Sequence, residues 1–270
     1  MSKIQEAKKL LKQYFGYDEF RQGQEQLIEA ALNGQDVLGI MPTGAGKSLC
    51  FQIPALMMDG ITLVISPLIS LMKDQVGTLN QAGIHAAFLN SSLTQGQYHT
   101  ALKYAMQGRY KIIYVAPERL ETEGFINFAL NSGVKISMLA VDEAHCVSQW
   151  GQDFRPSYLK ILEFLKKLPY RPVLTAYTAT ATAEVRDDIM DILNLRDPFV
   201  LTTGFDRENL YYAVKRPRDK YRELLSYLKE KEEKMPGSSG IIYCLSRKNV
   251  EEVCYQLRED RSEERRVGKE

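Results

Sequence analysis

The sequence predicts an α/β fold in which a parallel sheet is covered on both faces by helices. Between residues 36 and 195, short apolar runs alternate with amphipathic segments of helical length. A glycine-bearing loop joins one apolar run to a helix, and two acidic residues follow directly after a later run. Apolar strands that alternate with helices are typical of parallel sheets with two buried faces. Because ligands bind at the carboxyl ends of such strands, we expect the loop and the acids to lie at one edge of the sheet.

Length and composition are those of a globular protein. The chain has 270 residues, of which 44% are hydrophobic and 26% are charged, and this length suggests about two domains. The net charge of +1 neither favours nor excludes nucleic acid, because a local basic groove is sufficient for binding. The first residues form an amphipathic charged segment, and no apolar run approaches the roughly 18 residues of a membrane span. We therefore expect neither a secretion signal nor a membrane partner.

The four cysteines show no metal-binding pattern. Cys50, Cys146, Cys244 and Cys254 lack C-x-x-C spacing, so zinc is not expected within this chain. Three of them lie inside apolar runs and are interpreted as small core residues. A reduced, cytoplasmic protein is the expectation.

Helix and strand signals follow one another along the chain. Residues 1–33 are predicted to be helical from the spacing of their apolar side chains. The predicted strands cover residues 36–40, 61–67, 86–91, the start of 111–120, 136–145 and 171–182. The predicted helices cover residues 49–58, 68–83, 93–108, 125–132, 158–168 and 183–195.

The pattern loosens after the last of these helices. We interpret residues 196–209 as a link, so the first domain is expected to span 1–200 and an incomplete second domain 201–260. This second part is expected to restart a β-α-β-α pattern, with strands at 210–215 and 240–246 and helices at 219–234 and 247–259. Two strands are too few to bury a parallel sheet. The last segment, 261–270, is charged and lacks periodicity, so it is either a disordered tail or a sequence foreign to the fold. We favour the foreign sequence.

The glycine-bearing loop has the composition of a phosphate-binding loop. Thr43, Gly44, Ala45, Gly46, Lys47 and Ser48 stand between a strand and a helix. Glycines let the backbone N–H groups approach phosphate, the lysine can reach the β- and γ-phosphates, and the serine can bind Mg²⁺. Met41 stands where the strict pattern has glycine, so a plain turn with a solvated lysine is the alternative.

A second candidate segment precedes the loop. The amide of Gln24 can both donate to and accept from an adenine edge, and Tyr17 could stack on the ring. The alternative is a turn followed by the beginning of a helix.

Two acids end the apolar run that begins at residue 136. Asp142 suits Mg²⁺ binding through water, and Glu143 suits the polarisation of an attacking water molecule. Both can act only where the strand ends, because successive strand residues point to opposite faces. The alternative is a polar strand end without chemistry.

Several segments together resemble the motor of the RecQ family of helicases in superfamily 2. They are MPTGAGKS, ISPLISLMKDQV, VAPERL, VDEAHCVSQWGQDFRPSY and YTATAT, with FRQGQ before the loop and GFDRENL and GIIYCLSRKNVEE after it. The resemblance covers about residues 8–258. It implies a RecA-like first domain, a truncated second one, and an ATP-dependent DNA helicase that moves 3′ to 5′ in repair and recombination near the nucleoid.

The resemblance also assigns roles to residues. It implies that Tyr17, Arg21 and Gln24 hold adenine, and that the phosphate loop holds ATP and Mg²⁺. His145 and the segment with Thr178 and Thr180 would couple the nucleotide state to DNA. The resemblance implies contact with single-stranded or partly duplex DNA by three residues of the segment after the acids, namely Trp150, Phe154 and Arg155. Core packing is the alternative for the two aromatic residues.

Two departures and two rival functions remain. Gln152 stands where the family usually has histidine, which affects the coupling of DNA to ATP, and Ala45 replaces a common glycine. The arginine-bearing motif that completes the ATP site in the family is not found before Asp260.

The chain could therefore be an ATP- and DNA-binding module that does not unwind DNA. A small-molecule kinase shares the phosphate loop alone. Protein partners are not indicated.

Overall fold

The computed structural model describes residues 2–151, 153–204 and 210–267, with side chains up to residue 260. The chain divides into two compact units, Met1–Asp206 and Arg207–Glu270. Each unit is described by itself.

The first unit is built on a sheet of seven parallel strands. Its spatial order is β3-β4-β2-β5-β6-β1-β7. The strands are β1 (Val37–Ile40), β2 (Ile61–Ile65), β3 (Ala86–Leu89), β4 (Ile112–Val115), β5 (Ile136–Val141), β6 (Val173–Thr178) and β7 (Phe199–Thr202). The order brings the carboxyl ends of β5, β6 and β1 side by side, because these three strands are direct neighbours.

The described part of the chain contains ten α-helices, of which the first eight belong to the first unit and the last two to the second. They are α1 (Lys3–Leu10), α2 (Gln24–Leu32), α3 (Leu49–Met57), α4 (Ile69–Gln81), α5 (Gln95–Met106), α6 (Glu123–Asn131), α7 (Lys160–Lys167), α8 (Ala183–Ile192), α9 (Lys220–Lys234) and α10 (Arg247–Val267). None of the described helices is both long and apolar enough to span a membrane.

The core lies on both faces of the sheet. In β5, Leu139 and Val141 belong to one buried cluster, whereas Met138 and Ala140 belong to the cluster on the other face. This alternation follows from the two-residue period of a strand. A strand that is buried on both faces reads as a continuous apolar run, which is why these strands are visible in the sequence.

The strand signals of the first unit correspond to six of its seven strands. The seventh, β7, lies within the predicted link 196–209, so that interpretation is wrong at this strand. β7 pairs with β1 on one side and is the last strand in the sheet order. Its residues alternate between half-buried and exposed. An edge strand of this kind needs fewer apolar residues, and its sequence signal is weak for that reason.

The second unit contains α9 and α10 and no strand among the described residues 210–267. The strands expected in 210–215 and 240–246 are therefore a wrong prediction. Their apolar side chains are exposed: Tyr211 is 91% exposed and Tyr243 is 90% exposed. A strand needs hydrogen-bonded neighbours and a face to bury, and two short segments provide neither. The backbone of α10 continues to Val267, into the segment that was interpreted as a tail.

Candidate nucleotide and nucleic-acid site

The phosphate loop connects the carboxyl end of β1 to α3. The N–H of Met41 donates to the carbonyl of Thr178 at 3.0 Å, which ties the start of the loop to the end of β6. Lys47 Nζ donates to the carbonyl of Met41 at 3.1 Å and to that of Pro42 at 3.5 Å. Met41 is fully buried, so the residue that departs from the strict pattern is a core residue here. The predicted order of strand, glycine-bearing loop and helix is present.

Two glycines of the loop adopt left-handed backbone conformations. Gly44 has φ of 83° and Gly46 has φ of 81°. A Cβ atom on Gly46 would also lie 2.5 Å from Nε2 of Gln24. Glycine is therefore required at position 46 both for its backbone and for the close approach of Gln24.

Gln24 is buried against the phosphate loop. Its Nε2 donates to the carbonyls of Ala45 and Gly46, both at 3.0 Å, and its Oε1 accepts the N–H of Arg21 at 2.8 Å. The guanidinium of Arg21 donates to the carbonyl of Gly44. The amide that the sequence assigns to adenine is thus bound to the loop in this structure, and it links the segment before α2 to the phosphate site.

A pocket of about 230 Å³ lies beside these residues. Tyr17, Arg21 and Gln24 line it together with Ser48 of the phosphate loop. Sequence reasoning missed one polar wall of this pocket, which is formed by Gln52, Gln75 and Thr78. These residues come from α3 and α4, and no spacing rule connects such distant positions.

The polar wall is itself held by hydrogen bonds. Gln52 Nε2 donates to Oε1 of Gln75 at 2.9 Å and to the hydroxyl of Tyr114 at 3.0 Å. Gln52 is 3% exposed. Buried amides need such partners, so this network fixes the wall of the pocket.

The two acids follow β5 as predicted from the apolar run. Asp142 is 8% exposed, and the N–H of Glu143 donates to its Oδ1 at 3.0 Å. Burial, reinforced by the charge of Glu143, raises the pKa of Asp142 to about 6. The positive charge of Lys47 acts in the opposite direction on the same pKa. Glu143 has φ of 48°, a strained conformation for a residue other than glycine.

Tyr158 supports the acids and was missed in the sequence. Its side chain is fully buried, and its hydroxyl donates to the carbonyl of Asp142 at 3.0 Å. A sequence gives no signal for a contact between a side chain and a distant backbone carbonyl.

His145 and the end of β6 are joined directly. Nδ1 of His145 lies 2.8 Å from Oγ1 of Thr178 and 3.4 Å from Oε2 of Glu143. Oγ1 of Thr178 in turn bonds the backbone of Thr180, accepting its N–H at 3.3 Å. The structure thus brings together the residues to which the resemblance gives a coupling role, beside one of the two acids.

The segment from residue 148 to residue 155, called the aromatic loop below, follows these residues. Trp150 is 75% exposed, so core packing does not explain it. Phe154 is only partly exposed and Arg155 is half-buried. The guanidinium of Arg155 donates to the carbonyl of Pro67 at 3.3 Å and bonds the carboxylate of Asp153. Gln152 lies outside the described residues.

The donor set at the loop fits a magnesium ion. The hydroxyl of Ser48 and the carboxylate of Asp142 are hard oxygen donors, which is the type of ligand that Mg²⁺ prefers. Ser48 is half-buried and Asp142 is 8% exposed, so both side chains retain some exposure.

The fold and the site define a class of protein, the nucleotide-binding motor domain of helicases. A family model described as DEAD/DEAH box helicase matches residues 21–189, which is more than half of the chain. The chain belongs to the DEAD/DEAH box helicase family.

Individual relatives narrow this class. The chain is 44% identical over 256 residues to a Bacillus subtilis protein described as ATP-dependent DNA helicase RecQ, covering 94% of this chain and 42% of the relative. It is 47% identical over 261 residues to a protein of the same description from Haemophilus influenzae, covering 96% and 41%. The predicted resemblance to the RecQ motor is thereby confirmed. The chain spans less than half the length of these curated relatives.

Solved structures of helicases have the same fold. The DUF1998 helicase MrfA aligns with a TM-score of 0.71 at 18% identity, covering 99% of this chain and 42% of that chain. A hypothetical ATP-dependent RNA helicase from Sulfolobus tokodaii aligns with a TM-score of 0.54 at 20% identity, covering 74% and 56%. The predicted RecA-like fold is confirmed. At these identities the likeness concerns the fold alone.

Proposed function

We propose that this chain is the ATP-binding motor portion of a DNA helicase that moves 3′ to 5′ on single-stranded DNA. One observation carries the proposal: the phosphate loop, the acids after β5 and the hydrogen bond between His145 and Thr178 meet at one edge of the sheet. The exposed Trp150 lies a few residues beyond these acids on the same segment. A small-molecule kinase would share the loop but has no need for this arrangement.

Each group has a distinct task in this proposal. Tyr17, Arg21 and Gln24 border the space for the nucleobase, and Lys47 moves from the loop carbonyls to the β- and γ-phosphates. Ser48 and Asp142 would hold Mg²⁺, which neutralises phosphate charge when it is bound. Glu143, whose carboxylate lies beside His145, orients the attacking water.

The DNA contacts follow from the aromatic loop. A base stacked on an exposed aromatic side chain contributes about 1–3 kcal/mol, which suits Trp150. Phe154 and Arg155 would add a second apolar surface and a phosphate contact. Thr178 and Thr180 would report the nucleotide state to this loop through His145. Work on DNA in repair and recombination, close to the bacterial nucleoid in the cytoplasm, is part of the same proposal.

The phosphate loop is tested by Lys47→Ala. Loss of a charge-assisted contact to phosphate is expected to weaken the binding of a fluorescent ATP analogue with Mg²⁺ by roughly tenfold or more. In a complete helicase that contains this motor portion, ATP hydrolysis stimulated by single-stranded DNA is expected to disappear with the same substitution. Lys103→Ala, an exposed lysine of α5, is the matched control and should bind nucleotide normally. Equal nucleotide affinity in Lys47→Ala and Lys103→Ala would refute the assignment.

A second candidate function is a module that binds ATP and DNA without unwinding. The described part of the second unit, 210–267, contains no strand, so it provides no second sheet with which to complete an ATP site. In related phosphoryl-transfer enzymes, a catalytic arginine supplied to the ATP site raises the rate of hydrolysis by about 10³–10⁵-fold. We therefore expect these 270 residues to bind nucleotide and DNA but not to separate strands.

The two candidates are distinguished with a forked duplex that carries a fluorescent strand. The 270-residue chain is expected to bind the fork and to leave it intact in the presence of ATP. ATP-dependent release of the labelled strand by this chain, absent in Lys47→Ala, would instead support the motor as the activity of the chain by itself.

A further inference from the structure

Ser148 joins the aromatic loop to helix α8. Its hydroxyl donates to Oδ2 of Asp188 at 2.6 Å and accepts the N–H of Trp150 at 3.1 Å. Ser148 is fully buried, whereas Trp150 two residues later is 75% exposed. Neither Ser148 nor Asp188 is needed for the chemistry proposed above.

The other end of the aromatic loop is held as well. The N–H of Arg155 donates to the carbonyl of Cys146 at 2.9 Å, and its guanidinium donates to the carbonyl of Pro67 at 3.3 Å. Between the two anchors, the N–H of Gly151 closes a turn on the carbonyl of Ser148 at 3.1 Å. The turn that carries Trp150 is therefore anchored at both ends, and Ser148 is its N-terminal anchor.

Helix α8 is close in the chain to the nucleotide site. It begins directly after the segment Thr178–Thr180, and Thr182 caps it by accepting the N–H of Val185 at 3.3 Å. Thr178 bonds His145 with its side chain and Met41 of the phosphate loop with its carbonyl. Hydrogen bonds thus connect the phosphate loop to the end of β6, which leads into α8, and the carboxylate of Asp188 connects α8 to Ser148.

We propose that Ser148 and Asp188 are positioning residues that tether the aromatic loop to α8 and so set the orientation of Trp150 for single-stranded DNA according to the nucleotide state. The inference rests on the proposed function, in which Trp150 contacts DNA. The inference adds to that function the two residues that hold Trp150 in place, which lie 40 positions apart in the sequence.

The tether predicts specific losses. Ser148→Ala removes both the hydroxyl that donates to Asp188 and the oxygen that accepts the Trp150 N–H. The turn therefore loses its N-terminal anchor. The affinity for a single-stranded oligonucleotide is expected to fall about fivefold, the equivalent of one hydrogen bond. The change in this affinity on adding a non-hydrolysable ATP analogue is expected to shrink in the same variant.

The experiment uses the fluorescence of Trp150, because this is the one tryptophan in the 270-residue chain. In DNA-free protein, Ser148→Ala and Asp188→Ala are expected to lower the anisotropy of Trp150 and to raise its quenching by acrylamide. Asp188→Asn keeps an oxygen acceptor for the Ser148 hydroxyl and should restore both values. Asp187→Ala, which removes an exposed carboxylate from the same helix, is the matched control.

The oligonucleotide titrations and thermal unfolding are then performed on the same variants. The double variant Ser148→Ala/Asp188→Ala should bind DNA no more weakly than Ser148→Ala does, because Asp188→Ala breaks only the Ser148–Asp188 contact that Ser148→Ala has already removed. If Ser148→Ala does not fold, Asp188→Ala and Asp188→Asn decide the question, since Asp188 is only partly buried.

The outcomes separate this inference from the proposed function. Unchanged Trp150 fluorescence in folded Ser148→Ala and Asp188→Ala would overturn the tether. If the unsubstituted chain binds no oligonucleotide, the proposed DNA contact falls, and the orientation of Trp150 for DNA falls with it. Altered fluorescence and weakened DNA binding in the two alanine variants, with recovery in Asp188→Asn, would establish both.

Discussion

At the scale of single residues, Asp36, immediately before β1, is a buried polar anchor of the fold. Its buried carboxylate accepts Nη1 of Arg171 at 3.0 Å and also bonds Nη2 of the same guanidinium. The N–H groups of Leu174 and Arg196 donate to it at 3.0 Å and 2.8 Å. One carboxylate thus fixes the start of β1, the start of β6 and the chain before β7.

Asp36→Asn is expected to lower the free energy of unfolding by about 3 kcal/mol, because an amide group would then face buried donors. Urea denaturation followed by circular dichroism measures the change. Asp191→Asn alters the same charge at an exposed position of α8 and serves as the control. A loss below about 1 kcal/mol, the usual range of a surface ion pair, would show that the Asp36 network adds little.

Residue-scale contacts also mark what sequence could not predict. The phosphate loop and the acids were predicted because strand ends and residue types are local signals. The bond between Ser148 and Asp188 joins positions 40 residues apart, and the bond between Gln24 and the phosphate loop joins positions 21 and 22 residues apart. Such contacts depend on how the elements pack, and no local pattern encodes them. The roles of Gln24, Trp150 and Arg155 therefore stay predictions.

At the scale of elements, what was predictable depended on burial. β2 and β5 are buried over nearly their whole length, and each appears in the sequence as an apolar run. β7 has two exposed residues, and its sequence does not stand out as an apolar run. The segments 210–215 and 240–246 have strand-like composition but no partner strand in the described chain. Composition shows that a segment suits a strand, and only a neighbouring strand makes it one.

Helix α5 begins with a capping box that can be tested. Oγ1 of Thr94 accepts the N–H of Gln97 at 3.3 Å, and Oε1 of Gln97 accepts the N–H of Thr94 at 2.9 Å. Thr94→Ala is expected to cost about 1 kcal/mol of stability, because two N–H groups at the helix start lose their ordered arrangement. Thr94→Ser keeps the hydroxyl and should unfold at nearly the same urea concentration as the unsubstituted chain. Equal losses in both variants would point to the methyl group instead.

At the scale of the whole molecule, the buried core formed by the described residues lies in the first unit. Each of the three buried clusters consists of residues from the first 201 positions, and the seven strands lie within the first 202. The phosphate loop, the acids, the aromatic loop and α8 also lie there. The described helix α9 of the second unit has no buried residue. Stability and nucleotide binding are thus both expected to reside in the first unit.

A chain ending at Asp206 is expected to keep its unfolding temperature within about 4 °C of the 270-residue chain, a shift that corresponds to roughly 1 kcal/mol or less. Because the pocket and the phosphate loop lie in the first unit, binding of a fluorescent ATP analogue should be unchanged. Amide hydrogen exchange in the 270-residue chain gives an independent check, since α9 should exchange early and β5 late. A large fall in unfolding temperature on truncation, or strong protection of α9, would show that the second unit stabilises the fold. Unchanged values would show that the second unit contributes neither to the stability of the first unit nor to its nucleotide binding.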